Sequence, residues 1–94
     1  MFGSKEFLER CKHEVANYFN KHRDVTDSIE LKAEDVYVVW YSKSLQNHKA
    51  CLSTPISDGM YYELTYNGDK KELYIDVYKK WENMAVPIDV PVND

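Results

Sequence analysis

Two runs of alternating side chains, Met60–Tyr66 and Leu73–Tyr78, flank Asn67-Gly68-Asp69. Alternation with a period of two sends successive side chains to opposite sides of an extended strand, and Asn-Gly tolerates the positive φ angles of a tight reversal. The segment is therefore predicted to be a β-hairpin. A lone hairpin buries too little to persist in water, so the rest of the chain must supply more strands and a second layer. Met60, Tyr62, Leu64 and Tyr66, with Leu73, Ile75 and Val77 across from them, form the face that such a layer would cover.

A candidate for that layer opens at Ser4. Through about Lys21 the apolar residues Phe7, Leu8, Cys11, Val15, Tyr18 and Phe19 recur at three- and four-residue spacing with charges between them, which describes an amphipathic helix. Ser4, or Gly3 with Glu6 three positions on, can satisfy the first free amides. Glu6 and Glu9 lie at the positive end of the helix dipole and Lys21 near the negative end. One apolar stripe calls for one flat surface.

Upstream of the hairpin, Val36–Tyr41 is β-branched and aromatic, and both of its alternating sets are largely apolar, so it is predicted to be a central strand. The polar segment Ser42–Lys49 is predicted to be a loop, and Ala50–Thr54 a returning strand limited by Pro55. A short strand at Ile29–Leu31 is compatible with the pattern, and Lys79–Val86 fits either a continued strand or a helical turn. From Val86 to Asp94, two prolines impose an extended habit with little capacity to bury surface. The expected architecture is α+β: an N-terminal amphipathic helix on one face of a roughly four-stranded antiparallel meander, spanning residues 1–86 as a single domain, with 87–94 as an extended or disordered tail.

Bulk composition narrows the function classes. An aromatic fraction of 14%, including eight tyrosines, is too rich for a disordered chain, and 94 residues leave room for one core. A formal charge of −4 has the wrong sign for a protein held to nucleic acid mainly by phosphate neutralisation. Met1-Phe2-Gly3 does not open a charged-then-apolar leader, and the longest apolar run, Val36–Tyr41, is too short for a bilayer, so a cytoplasmic protein is expected, with no membrane contact. Cys11 and Cys51 stand forty residues apart with no third cysteine, which suits free, mostly buried thiols rather than a disulfide or zinc site.

The second face of the predicted hairpin carries Tyr61, Glu63, Thr65, Glu72, Tyr74, Asp76 and Tyr78, and Tyr37 and Tyr41 are expected to join it. Tyrosines suit strands and could simply shield that face. Rigid rings with polar tips also give contact area at low entropy cost, so this face is the expected site for a protein partner or for self-association. Stacking on single-stranded nucleic acid uses similar rings, yet Glu63, Glu72 and Asp76 would repel a phosphate backbone. A nucleic-acid module would have to rely instead on Lys49, Lys70, Lys71, Lys79 and Lys80, whose usual explanation is a solvated rim. The polar tip Leu45–Lys49 is a further loop that could carry function.

Catalytic constellations are thin. Three glycines include no phosphate-binding loop. His48 and Cys51 invite a thiol-nucleophile idea, but three residues along a strand put side chains on opposite faces. His13, His22, Asp24 and Asp27 do not match zinc or calcium spacing, and solvent-facing histidines are the simpler reading. Glu72 with Asp76 would need a cleft to shift their pKa values, which a flat sheet does not give. The expectation is a non-enzymatic protein without cofactor or metal.

The segments Asp35-Val-Tyr-Val-Val-Trp40, Leu45-Gln-Asn-His-Lys-Ala50, Leu52-Ser-Thr54, Asp58-Gly-Met-Tyr-Tyr-Glu63, Thr65-Tyr-Asn-Gly-Asp-Lys70 and Glu72-Leu-Tyr-Ile-Asp-Val-Tyr-Lys-Lys-Trp-Glu-Asn83 together resemble a family of small uncharacterised proteins encoded by phages, prophages and integrative elements of Gram-positive bacteria. The likeness runs from the helix through Asn83 and leaves out the tail after Met84. It implies a genetic setting and a bacterial cytoplasm rather than a mechanism. Small phage accessory proteins commonly bind a host or phage macromolecule, so by analogy the resemblance favours an interaction role.

Overall fold

The computed structural model describes residues 2–23 and 29–89. Helix α1 covers Ser4–His22 and a single 3-10 turn covers Ala33–Asp35; strands β1 (Tyr37–Ser44), β2 (Asn47–Ser53), β3 (Met60–Asn67) and β4 (Glu72–Lys79) follow. The strands form one antiparallel meander in the order β1-β2-β3-β4, with α1 against one face. This is the expected α+β architecture.

Gly3 serves as N-cap of α1, and its amide donates to Glu6 Oε1 at 3.0 Å, so the carboxylate lies at the positive end of the dipole. Phe7, Cys11, Val15 and Ala16 are buried beneath the helix, with Leu8, Tyr18 and Phe19 partly covered beside them. They meet Ala50 and Leu52 of β2 and Tyr62 and Leu64 of β3, the residues that alternation assigns to the inner face. The stretch just before the 3-10 turn is pinned to the helix through Asn20, whose side chain donates to the Leu31 carbonyl and accepts from the Leu31 amide, both at 2.8 Å. That pair of bonds imitates a strand rung and lets Leu31 be buried without a strand at Ile29–Leu31.

Several expectations about strands and turns are corrected. β1 lies at an edge of the sheet, and the central strands are β2 and β3. The polar run Ser42–Lys49 is not a loop: β1 continues to Ser44, β2 begins at Asn47, and only Leu45 and Gln46 turn the chain, with Leu45 at φ 56°. On the edge strand β1 polar side chains can stay in water while the backbone pairs, and in central β2 His48 is buried with a hydrogen bond to the Tyr41 hydroxyl, so polarity does not exclude strand.

The third correction concerns the second hairpin. Its connection occupies residues 68–71, and the positive φ falls at Lys71 (54°) rather than at Gly68. Asn67 Oδ1 accepts from the amides of Asp69 (3.0 Å) and Lys70 (3.2 Å) and builds the turn with its side chain. Glycine is required at 68 by proximity, because a Cβ there would sit 2.4 Å from the Gln46 carbonyl oxygen.

The fourth lies in β1, where the register with β2 slips between Val38 and Trp40. Val38 pairs with Leu52 and Trp40 with Cys51, so Val39 is an extra, bulged residue. Every side chain after the bulge changes face relative to simple alternation. Beyond β4, residues 80–89 carry no regular structure and are exposed, so of Lys79–Val86 only Lys79 belongs to the strand and the rest neither prolongs it nor forms a helical turn.

Candidate functional site

Register fixes which side chains share the sheet face that α1 leaves open. Directly opposed residues in an antiparallel pair lie on one face, and the pairs Tyr61 with Tyr78, Glu63 with Asp76, Thr65 with Tyr74 and Asn67 with Glu72 stand opposite the helix. Lys49 joins Thr65 and Cys51 joins Glu63 from β2. From β1, Tyr37 pairs with Ser53, Trp40 with Cys51 and Ser42 with Lys49. Of the sequence-predicted contact residues, Tyr37, Tyr61, Glu63, Glu72, Tyr74, Asp76 and Tyr78 are thus brought together.

Tyr41 is not among them. The bulge at Val39 turns it to the helix face, where it pairs with Ala50 and its ring approaches Phe7 at 5.9 Å. Trp40 takes the open position instead. Sequence reasoning missed Trp40 because Val36, Val38 and Trp40 are as apolar as Tyr37, Val39 and Tyr41, leaving nothing in the pattern to reveal a slip of one residue.

Tyr37, Trp40, Tyr61, Tyr74 and Tyr78 are each between 40% and 50% exposed. Tyr61 and Tyr78 stack with centroids 5.4 Å apart and planes 17° from parallel, so that corner is already ordered. Carboxylates run between the rings: Glu63 pairs with Lys49 Nζ at 3.1 Å, and Glu72 Oε1 accepts from the Tyr74 hydroxyl at 2.7 Å. That hydrogen bond holds the Tyr74 phenol above its ordinary pKa; the negative charge of Glu63, with lesser contributions from burial and Asp76, does the same for Tyr78. Both rings therefore offer neutral hydroxyl groups. Beside them, Trp40, Ser42, Lys49, Glu63 and Thr65 edge a shallow, open depression of about 520 Å³.

His48 and Cys51 are separated by the sheet. His48 faces the helix, buried, with its ring 5.0 Å from that of Phe7 and Nδ1 sharing a 2.6 Å hydrogen bond with the Tyr41 hydroxyl. It is therefore a core residue and not part of a polar loop tip. Cys51 lies on the open side between Trp40 and Glu63, and burial, then Glu63, raises its thiol pKa, the opposite of an activated nucleophile. The lysines are divided too: Lys49 is on the open face, Lys70 and Lys71 are in the turn, and Lys79 pairs with Met60 on the helix side.

His13 is exposed on α1, and His22, also exposed, stacks on Tyr18 at 4.0 Å and places Nδ1 2.8 Å from the Tyr18 carbonyl. Asp24 and Asp27 lie outside the described residues. Among the described residues, no group of three His, Cys, Asp or Glu side chains is arranged to hold a metal ion, and no helix is long and apolar enough to cross a membrane.

Fold and site together define a two-layer α+β domain with one sheet face packed and the other presenting aromatic rings and carboxylates. The chain belongs to a family of unknown function, DUF6275, whose model matches residues 8–88. The match carries the likeness past Asn83, into the segment after β4. No curated protein and no solved structure matches the chain.

Proposed function

We propose that this is a non-enzymatic accessory protein of a phage, prophage or integrative element, acting in the bacterial cytoplasm by holding a protein partner on its open sheet face. The observation that carries the reading is the solvent exposure of Tyr37, Trp40, Tyr61, Tyr74 and Tyr78 on a single face. Antiparallel sheets packed on one side normally turn polar residues to water on the other. Rings with polar tips can give up that water at low entropy cost, while the carboxylates between them select the partner's charge. The surrounding polar groups, Ser42, Lys49, Thr65 and Glu72, suit the rim of an interface.

The test is affinity capture from a bacterial lysate with wild type and a Tyr74→Ala, Tyr78→Ala double variant. Both rings are substantially exposed, so the variant should fold. The expected result is a protein retained by wild type and lost from the variant. Identical catches from the two would remove the face from consideration.

A further inference from the structure

The segment after β4 has its own pattern. Trp81 is 97% exposed, and Met84, Val86 and Ile88 stand largely in water in a stretch without regular structure. Those last three occupy alternate positions, and the intervening ones are Ala85 and Pro87. In an extended strand, the amide and carbonyl of one residue point to one edge and those of the next residue to the other. Proline at 87 therefore blocks one edge of this segment, while the edge served by the amides of Met84, Val86 and Ile88 is intact.

β4 offers a matching edge. The Lys80 amide donates to the Gly59 carbonyl at 2.7 Å, one rung beyond the Met60–Lys79 pair, so even-numbered residues of β4 bond to β3. The backbone groups of Leu73, Ile75, Val77 and Lys79 consequently point to the open edge. The first three of these side chains lie on the helix face, where Ile75 remains 38% exposed because α1 packs over β1, β2 and β3. β4 runs eight residues without bulge or proline, whereas the other edge, β1, is interrupted at Val39.

We infer that Met84–Ile88 of one copy of this chain adds as an antiparallel strand to the β4 edge of a second copy, joining the two in a dimer. In an antiparallel pair, residues that exchange hydrogen bonds are directly opposed and share a face, so the intact edge of the segment sets Met84, Val86 and Ile88 beside Leu73, Ile75 and Val77 and covers Ile75. The same parity sends Pro87 to the outer margin, where no amide is needed. A second copy is the occupant because residues 80–89 leave β4 without a turn, which keeps the segment away from its own strand. The matched region of the family extends to residue 88 and so includes this segment. The inference is independent of the aromatic face, which remains open in such a dimer.

Proline scanning combined with sedimentation equilibrium over a concentration series tests the parity directly. Wild type should dimerise; Val86→Pro, which removes an edge-facing amide, should abolish the dimer, and Ala85→Pro, whose amide points away, should leave it intact. Circular dichroism of both variants checks the fold, which this exposed segment does not support. A wild type that stays monomeric at every concentration, or equal effects of the two prolines, would overturn the inference. A monomer whose Ile75 amide is protected from exchange only while Val86 is present would place the segment on its own β4, and would overturn it as well.

Discussion

The Tyr41 hydroxyl and His48 Nδ1 share a 2.6 Å hydrogen bond on the helix face, joining β1 to β2 beneath Phe7. His48 is buried there, so its ring nitrogen depends on that partner. Tyr41→Phe should destabilise the domain by about 1–3 kcal/mol, the cost of leaving a buried polar atom unpaired. Urea unfolding measures it; a change near zero would mean that Tyr41 faces water, as unbroken alternation of β1 would have it.

Gly68→Ala should cost about 1–3 kcal/mol by overpacking, since the added carbon would meet the Gln46 carbonyl oxygen at 2.4 Å and its Cγ at 2.7 Å. Shortening the side chain with Gln46→Gly should not restore the loss, because the backbone oxygen remains. The Gly68 amide also donates to Asn47 Oδ1 at 3.0 Å, so the two hairpin tips are bound together as well as close-packed. Thermal melts of the single and double variants check this.

Burial, reinforced by Glu14 and opposed by Arg10, pushes the Cys11 thiol from 9.0 up to about 12. A folded pKa above the unfolded value means that the native state holds its proton more tightly. The resulting stability is fully present below pH 9 and is lost as pH rises from there toward about 12. The melting temperature should therefore fall through this window, and more shallowly in Cys11→Ala. Equal slopes for the two proteins would place the alkaline loss elsewhere.

Cys51, with its thiol also raised and its side chain buried between Trp40 and Glu63, should react slowly with iodoacetamide at pH 8 and quickly once unfolded. Mass spectrometry of the alkylated protein measures both rates. Fast labelling of the folded chain would contradict the packing described.

The hairpin of β3 and β4 was legible because its two faces differ in chemistry: Met60, Tyr62 and Leu64 against Tyr61, Glu63 and Thr65 leave one register that buries the apolar set. The helix was legible for the same reason, at a different period. β1 was not, since it is apolar on both sides and a bulge changes no composition. Residues 42–49 misled because pairing to a neighbour strand, which holds Asn47 and His48 extended, leaves no mark in local polarity. Most of the contact surface thus followed from β3 and β4, and the exchange of Tyr41 for Trp40 required the register.

Hydroxyl-radical footprinting of the chain alone and in complex with its captured partner tests the binding face most directly. The account predicts that Tyr37, Trp40, Tyr61, Tyr74 and Tyr78 react readily in the free protein and become protected together in the complex. Unchanged reactivity of those rings, with protection confined to the solvent side of α1 or to the Lys70–Lys71 turn, would contradict it.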